Sequence, residues 1–584
     1  MSKNPMQKEP TALERAMRVA RPAFGFAIFL SLFINILALV APVYMMQIYD
    51  RVIMSRNMTT LLMLSLVAAA LLISYALLEA ARSRTLVRSG TLFDETASDQ
   101  VFDAVQRTSL TNQSSGSAQG LRDLDRVREY LTGNGLISLC DAPWVPIFIL
   151  GCFLLHPWYG YIALGGAVML FVFAILNDRL TRHQLQEGSR SMIGANAYAT
   201  TTLRNAEVTR AMGMLGALRK RWKKQHEEVL GWQAQASDRS GTVMAMTKFV
   251  RMGLQISILG TGAYLVVNQN LSPASMIAAS IMMGRALAPV EQSVGNWRGL
   301  IAMRESYARL NGLLESAPPD KDRMSLPTPK GALSIEQLVA APPGVRKPML
   351  KNVSFEIAPG ETVGVLGPSG AGKSTLARML VGVWPYMNGA VRLDGTEMPH
   401  WNSEELGRHI GYLPQDVELF SGTIAENISR FSDNMSHEKV IAAAQLAGVH
   451  DMIQKMPEGY NSEIGEGGQS LSGGQRQRIG LARAVYGSPP FIVLDEPNSN
   501  LDTAGEAALL EAVKKLKEAG GTVVLITHKA NIIGAVDKLL VLSDGAVQMF
   551  GPRDEVMARL SSPRVVPLQG GAQAQMAGSA TGKA

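Results

Sequence analysis

The sequence is poor in charged residues and in cysteine. Only 18% of its 584 residues are Asp, Glu, Lys or Arg, below the roughly 25% that is usual for soluble domains, which argues against a chain that lies entirely in water. Its two cysteines, Cys140 and Cys152, fall in an apolar stretch and exclude a disulfide framework or a zinc site. The net charge of +7 comes mostly from Lys and Arg beside long apolar runs, where membrane topology places them. We therefore expect no nucleic-acid partner.

The apolar residues concentrate in the first 300 positions. A transmembrane helix needs about 20 mostly apolar residues, and four runs reach that length: residues 22–49, 57–78, 142–177 and 252–284. Turn-forming residues break the third run at 156–160 and the fourth at 268–273. The sequence therefore predicts six membrane spans.

The positive charges of the connections predict the orientation. Lys and Arg precede the first span, follow the second as Arg82, Arg84 and Arg88, follow the fourth and precede the fifth, whereas the other connections carry few charges. By the positive-inside rule both ends lie inside, so we expect a multi-pass protein of the bacterial inner membrane with its C-terminal half in the cytoplasm. The long inside segments, 79–130 and 178–248, are rich in helix formers and are expected to extend the membrane helices.

Two charged residues fall within the predicted spans. Asp141 lies beside Pro143 and Pro146, and Arg285 follows Ala274 by about 16 Å of helix rise. A charge at membrane depth usually faces a cavity or a partner helix and marks a functional site. The alternative is that either residue lies at a helix end and extends its charge to the interface.

The chain is too long for a single hydrophobic core, and composition divides it into five parts. They are a cytoplasmic N-terminal segment (1–21), a transmembrane domain with long cytoplasmic extensions (22–315), a Pro-rich linker (316–330), a nucleotide-binding domain (331–562) and a tail (563–584). The tail is rich in Gly, Ala, Gln and Ser, so we expect it to be disordered.

A phosphate-binding loop opens the second half of the chain. The apolar strand 362–366 runs into a glycine-rich segment: Gly367, Pro368, Ser369, Gly370, Ala371, Gly372, Lys373, Ser374 and Thr375. The glycines let backbone N–H groups approach phosphates, Lys373 neutralises the β and γ phosphates, and the Ser374 hydroxyl ligates Mg²⁺. Strand, loop and helix come in the order that this chemistry requires.

Two adjacent carboxylates follow a later buried strand, residues 491–494. Asp495 is expected to hold the Mg²⁺, and Glu496 is placed to orient and deprotonate the attacking water. The sequence therefore predicts nucleotide hydrolysis with ATP and Mg²⁺.

Between these motifs lie Leu471, Ser472, Gly473, Gly474 and Gln475, which resemble the signature of the ATP-binding-cassette superfamily. Gln415 matches the Q-loop of that family and adds a metal ligand, residues 499–502 with Asp502 match the D-loop, and His528 matches the switch histidine. The resemblance implies an α/β P-loop nucleotide-binding domain and a homodimer. ATP would lie between the phosphate loop of one subunit and Ser472 to Gln475 of the other, with His528 at the γ-phosphate.

The order of the two halves, together with three sequence segments, indicates which kind of ATP-binding-cassette protein the chain resembles. Six spans ahead of one cassette, together with the LFSGTIAENI segment (419–428), resemble the type I exporter fold. The segments 46–52 (MQIYDRV) and 131–157 resemble the permease/ATPases of type I secretion systems, the PrtD type. That resemblance implies a protein substrate with a C-terminal secretion signal, a periplasmic adaptor and an outer-membrane channel.

Two other classes compete with protein export. A lipid or drug exporter would share the fold, and a non-transporting ATPase or gated channel is expected to lose Glu496 or alter the signature, both of which are intact. The first span begins after about 20 residues, so we expect no N-terminal peptidase domain. One departure from the family is the lack of any Phe, Tyr or Trp between Tyr307 and Phe355, which leaves the usual adenine-stacking aromatic without a counterpart.

Overall fold

The computed structural model of the chain describes residues 10–111, 118–269, 271–318 and 323–561. It divides into two units, Met1–Pro319 and Asp320–Ala584, and each is considered by itself. The tail expected to be disordered, residues 563–584, lies outside the described residues.

The described part of the first unit is helical. Its helices are α1 (Ala12–Leu37), α2 (Val40–Gln47), α3 (Met58–Thr111), α4 (Gln119–Thr132), α5 (Asn134–Asp141), α6 (Val145–Leu155), α7 (Pro157–Arg204), α8 (Ala206–Ala211), α9 (Leu215–Gln269), α10 (Pro273–Gly295) and α11 (Trp297–Ser316). A π-helix, Ile48–Ile53, continues α2, and a 3-10 turn, Ala142–Trp144, joins α5 to α6.

Six helical segments of this unit are long and apolar enough to cross a membrane, which confirms the predicted six-span domain. Three of the helices, α3, α7 and α9, have 54, 48 and 55 residues. At 1.5 Å per residue each is roughly 70–80 Å long, more than twice the about 30 Å of bilayer hydrocarbon. These helices therefore continue well beyond the membrane.

The breaks between spans have local causes. His156 is extended (φ −166°, ψ 140°), and its imidazole accepts a hydrogen bond from the Trp158 amide, so α6 ends and Pro157 starts α7. At the other break the Ser272 hydroxyl accepts a hydrogen bond from the Ala274 amide and caps α10, with Pro273 in its first turn. Both helix starts use the preference for a polar cap followed by proline.

A buried ion pair joins α4 to α11. Asp123 is 2% exposed, and its carboxylate accepts hydrogen bonds at 2.8 Å from the Nε and a terminal nitrogen of Arg309. The Ser306 hydroxyl and the Gln119 amide also donate to it, both at 2.9 Å. The hydrogen bond to Asp123 raises the pKa of Arg309, so its guanidinium stays charged.

Replacing Asp123 with alanine is expected to lower the free energy of unfolding of this unit by about 1.5–3 kcal/mol, because it removes the hydrogen bonds between the buried carboxylate and the Arg309 guanidinium, which is itself 32% exposed. Thermal unfolding of the purified chain in detergent measures the loss. Asp125→Ala is the matched control on the same helix, since the Asp125–Arg128 pair is exposed and surface pairs contribute at most about 1 kcal/mol. Equal melting temperatures for the two variants would contradict this account.

The second unit is α/β. Its strands are β1 (Leu333–Ala340), β2 (Leu350–Ile357), β3 (Thr362–Leu366), β4 (Asn388–Leu393), β5 (Thr396–Glu397), β6 (Ile410–Leu413), β7 (Phe491–Asp495), β8 (Thr522–Ile526), β9 (Lys538–Ser543) and β10 (Ala546–Pro552). Its helices are α12 (Lys373–Leu380), α13 (Ser403–His409), α14 (Ile424–Ile428), α15 (His437–Leu446), α16 (His450–Gln454), α17 (Gly473–Val485), α18 (Thr503–Glu518), α19 (Ala530–Ile533) and α20 (Arg553–Ser561).

Two sheets organise this unit. A four-stranded antiparallel sheet has the order β2-β1-β4-β5, and a six-stranded sheet has the order β10-β9-β3-β8-β7-β6. In the larger sheet β9, β3, β8, β7 and β6 run parallel, and β10 pairs antiparallel at the edge. The predicted α/β nucleotide-binding fold is therefore confirmed.

The larger sheet separates two hydrophobic cores. Ile492 and Leu494 of β7 point into one core, with α15, α17 and α18, whereas Phe491 and Val493 point into the other, with α12 and the smaller sheet. This alternation is the two-residue period of a strand. Both faces of β7 are covered, so its carboxyl end is held rigidly where the predicted site lies.

Candidate nucleotide-binding and hydrolysis site

The carboxyl ends of three parallel strands bring the predicted site residues to one edge of the sheet. In the register, Ile526 of β8 pairs with Val365 of β3 on one side and with Asp495 of β7 on the other. The phosphate loop leaves β3, the two carboxylates end β7, and His528 follows β8. Ligands of open α/β sheets bind at such carboxyl ends.

Lys373 begins α12 and is enclosed by the phosphate loop. Its side chain is 6% exposed, and its ammonium donates to the carbonyl oxygens of Gly367 at 2.9 Å and Pro368 at 3.0 Å. Burial lowers the pKa of Lys373, while the charges of Glu496 and Asp495 oppose that shift. The lysine is thus a preorganised positive charge at the start of a helix, where an anion is favoured.

Gly372 gives the loop its close packing. Its φ of +96° is a left-handed conformation that favours glycine, and a Cβ placed there would lie 2.9 Å from a methyl carbon of Leu350. Glycine at this position therefore lets the phosphate loop pack directly against Met349 and Leu350, just before Lys373. Of the other predicted phosphate-loop residues, Ser369, Gly370 and Ala371 precede Gly372 in the loop, and Thr375 lies in the first turn of α12.

Asp495 provides a test of whether the site fits a metal ion. It is fully buried, and within the described residues neither carboxylate oxygen has a hydrogen-bond partner. Burial raises the pKa of Asp495, and the Ser374 hydroxyl, which is close enough to interact with the carboxylate, opposes that rise. A buried carboxylate without hydrogen-bond partners is costly. Mg²⁺ bound between Asp495 and Ser374 would take the Asp495 carboxylate and the Ser374 hydroxyl as oxygen ligands. The residues present fit the group.

Glu496 lies at the end of β7 with its carboxylate held from two sides. The Gln415 amide nitrogen donates to one oxygen at 3.0 Å, and Nε2 of His528 lies 3.6 Å from the other. Because Gln415 uses its nitrogen here, its amide oxygen is left for a metal. The φ of Glu496 is +48°, a sparsely populated conformation for a residue with a side chain, and such strain is concentrated at functional sites.

The signature residues form the start of α17. The Ser472 hydroxyl accepts from the Gln475 amide at 3.3 Å and the Gln475 side chain accepts from the Ser472 amide at 2.8 Å, a capping box that follows Leu471. Gly473 and Gly474 follow the cap, and a Cβ on Gly474 would lie 2.8 Å from the Asn500 carbonyl oxygen. The signature thus packs against the predicted D-loop, whose Asp502 caps α18 through the Gly505 amide at 2.9 Å.

The β1–β2 connection, residues 341–349, contains no Phe, Tyr or Trp. Met349 is 37% exposed there, and its Cγ would lie 3.4 Å from a Cβ on Gly372. An apolar thioether therefore borders the phosphate loop on the side where the sequence offers no ring.

The structure also shows where the two intramembrane candidates lie. Asp141, 19% exposed, accepts a hydrogen bond from the guanidinium of Arg82 at 2.6 Å and from the Asn35 amide at 3.1 Å. Arg82 is 3% exposed and also bonds Glu79 and Ser31. Asp141 therefore joins three spans, whereas Arg285 is exposed on α10.

Asp141→Ala is expected to lower the free energy of unfolding by about 3 kcal/mol, because buried hydrogen bonds to charged groups are worth about 1.5–3 kcal/mol each. Thermal unfolding in detergent, followed by tryptophan fluorescence, measures the effect. Glu187→Ala is the control, since its partner Arg190 is 74% exposed, and we expect a change below about 1 kcal/mol. An unchanged melting temperature for Asp141→Ala would refute the role of this cluster.

Two polar residues of these networks were not identified from the sequence. Arg82 was counted among the charges that flank the second span, but α3 continues through it and buries it. Gln477, 1% exposed, lies on the apolar face of α17 that also buries Gly480, Leu481 and Ala484. A polar residue at helical spacing within a buried face was the signal that could have indicated Gln477.

Comparison with known proteins gives family matches in both units. A family model described as the ABC transporter transmembrane region matches residues 24–288, and one described as ABC transporter matches residues 350–499. The type I secretion system ATP-binding protein PrsD of Rhizobium meliloti (strain 1021) is 42% identical over 562 residues, 96% of each chain. The leukotoxin translocation ATP-binding protein LktB of Mannheimia haemolytica is 29% identical, over 92% of this chain and 76% of that protein.

A solved structure shares the fold. The structure of a bacterial Atm1-family ABC exporter with ATP bound superposes with a TM-score of 0.75 at 22% identity, covering 94% of this chain and 99% of that one. At that identity the likeness concerns the fold alone.

Proposed function

Because the chain belongs to the ABC transporter family, we propose that it is the ATP-driven exporter of a type I secretion system and that its substrate is a protein. The observation that carries this proposal is the 42% identity to a type I secretion ATP-binding protein over 96% of both chains. Both the membrane unit and the nucleotide-binding unit take part in that similarity, so it concerns the whole transporter and not the ATPase alone.

In the proposed hydrolysis, the residues of the sheet edge have separate roles. Lys373 and the phosphate-loop amides bind the phosphates, and Glu496 orients a water and accepts its proton. His528, whose ring lies 3.6 Å from Glu496, would hold the γ-phosphate next to that water. Ser374, Asp495 and Gln415 would hold Mg²⁺, which would neutralise phosphate charge.

We further propose that the chain works as a homodimer. The start of α17 presents the first-turn amides of Gly473 and Gly474 next to the hydroxyl of Ser472, a suitable group for contacting phosphate. Each chain has one phosphate loop and one signature, so two chains would complete two sites. Contacts made only in the closed pair give ATP the differential affinity that drives alternating access.

The proposed setting follows from the same relatives. The six spans lie in the bacterial inner membrane with the nucleotide-binding unit in the cytoplasm. A periplasmic adaptor and an outer-membrane channel complete the path, and the exported protein carries a C-terminal signal. PrsD and LktB are named for type I secretion and for leukotoxin translocation, which supports a polypeptide as substrate.

ATPase measurements in lipid vesicles test the substrate class. C-terminal fragments of proteins encoded near this chain are added to the wild type, and lipids or small amphiphiles are added in parallel. We expect a polypeptide fragment to change the hydrolysis rate. If only lipids or amphiphiles change it, the chain is a lipid or drug exporter of the same fold.

A further inference from the structure

One buried side chain connects the signature helix with the hydrolytic carboxylate. Gln477 of α17 donates its amide hydrogen to the backbone carbonyl of Glu496 at 3.0 Å. Its amide oxygen accepts from the Ser499 hydroxyl and from the Asn500 amide, both at 3.2 Å. The partners fix the orientation of the amide, because the Glu496 carbonyl can only accept and the Asn500 N–H can only donate.

The backbone that Gln477 contacts needs this support. Glu496 has a φ of +48°, and a sparsely populated conformation persists only where the surrounding structure over-determines it. The Glu496 amide donates to Ile526 at 3.0 Å, and its carbonyl accepts from the Ser499 amide at 3.2 Å as well as from Gln477. A hydrogen bond from α17 is thus part of what sets the direction of the Glu496 side chain.

The D-loop is held against the same helix. The Asn500 amide bonds Gln477, and the Asn500 carbonyl leaves no room for a side chain on Gly474. A shift of α17 would therefore move both the D-loop and the peptide of Glu496. Gln477 is 1% exposed, so water cannot replace these bonds if the helix moves.

We propose that Gln477 is a positioning residue that makes hydrolysis by Glu496 depend on how the start of α17 engages its nucleotide. The inference rests on the proposed dimer, in which the signature of one subunit contacts the ATP bound by the other. Glu496 serves the subunit's own ATP, so Gln477 links the two sites within one chain. Occupation of one site then favours the reactive geometry at the other.

The test compares Gln477→Leu with wild type and with Asn427→Leu in lipid vesicles. Asn427 is the matched control, because it is fully buried and makes three hydrogen bonds with backbone atoms of Phe420 and Thr423, away from Glu496. Binding of trinitrophenyl-ATP gives the Kd, and phosphate release over a range of ATP concentrations gives kcat and the Hill coefficient.

For Gln477→Leu we expect kcat to fall by about 10²-fold, because a small displacement of a catalytic group lowers the rate by about that factor. We expect Kd to change by less than about threefold. We expect the wild-type Hill coefficient to lie above 1, with a limit of 2 for two sites, and that of Gln477→Leu to fall to about 1. Asn427→Leu should lose stability but keep the wild-type coefficient. A wild-type coefficient of 1, equal kcat in the two variants, or a parallel loss of binding would overturn the inference.

The proposed function and this inference fail differently. If the wild type hydrolyses no ATP, the proposed function is wrong, and if Glu496→Gln hydrolyses it as fast as the wild type, the role of Glu496 as the base is wrong. If those two results are as expected and Gln477→Leu behaves like Asn427→Leu, only the role of Gln477 is wrong.

Discussion

Glu496→Gln is expected to lower the rate of ATP hydrolysis by about 10²–10⁴-fold, the contribution typical of a general base. Glutamine has nearly the same shape as glutamate but cannot accept the proton of the attacking water. The neighbouring Gln415 and His528 keep their positions, so nucleotide binding should remain. Phosphate release and trinitrophenyl-ATP binding, measured on one preparation, separate the two effects.

Glu511→Gln is the control for this change. Glu511 lies on α18, and its side chain is 58% exposed, so we expect unchanged hydrolysis. Wild-type hydrolysis by Glu496→Gln would exclude this carboxylate as the base, and loss of nucleotide binding would assign it to ground-state binding.

Lys373→Ala is expected to weaken the free energy of nucleotide binding by about 2–5 kcal/mol. This corresponds to a Kd that is roughly 30-fold to 5,000-fold higher. The ammonium is already buried in the phosphate loop, with Gly367 and Pro368 as its partners, so it neutralises phosphate charge with little reorganisation. Its loss also leaves those two carbonyl oxygens without a donor. Titration with trinitrophenyl-ATP in the absence of hydrolysis measures the change.

Lys515→Ala provides the comparison for Lys373→Ala, since Lys515 is 56% exposed and has only a surface partner. We expect its Kd to equal that of the wild type. A Kd for Lys373→Ala within threefold of the wild type would contradict the proposed phosphate site, because no other buried cation was predicted there.

The sequence could predict the phosphate loop because its chemistry is contiguous. Glycines, lysine and hydroxyl follow one another after a strand, and the structure places Lys373 within that loop. Asp495 and Glu496 were predictable for a related reason, since a short buried strand fixes where its last residues point. Their catalytic roles stay predictions until the variants are measured.

Contacts between distant parts of the chain could not be predicted in this way. Asp141 pairs with Arg82, 59 residues away, and with Asn35, 106 residues away. The sequence places Arg82 in the helical extension that follows the second span, but it does not show that the side chain is buried against Ser31 and Asp141 of neighbouring helices. Gln477 was missed for a similar reason, because its partner Glu496 is brought close only by the packing of α17 on β7.

The number and kind of elements were accessible because membrane spans and buried strands have strong patterns. The apolar runs predict six spans, and the structure has six helical segments that meet the requirement. The helix formers of segments 79–130 and 178–248 predict that these segments extend the membrane helices, and α3, α7 and α9 do so, but composition does not determine where each extension ends. Beyond the apolar segments α7 still packs against α9, where the ring centroids of His183 and Trp232 lie 5.8 Å apart.

Protein translocation into inverted membrane vesicles tests the central claim most directly. Vesicles with the nucleotide-binding unit outside are given ATP and a protein that carries the C-terminal signal, and protease then digests what remains outside. We expect a protected fraction that requires ATP and that disappears with Glu496→Gln. Equal protection for wild type and variant, or none with ATP although the wild type hydrolyses it, would contradict ATP-driven protein export.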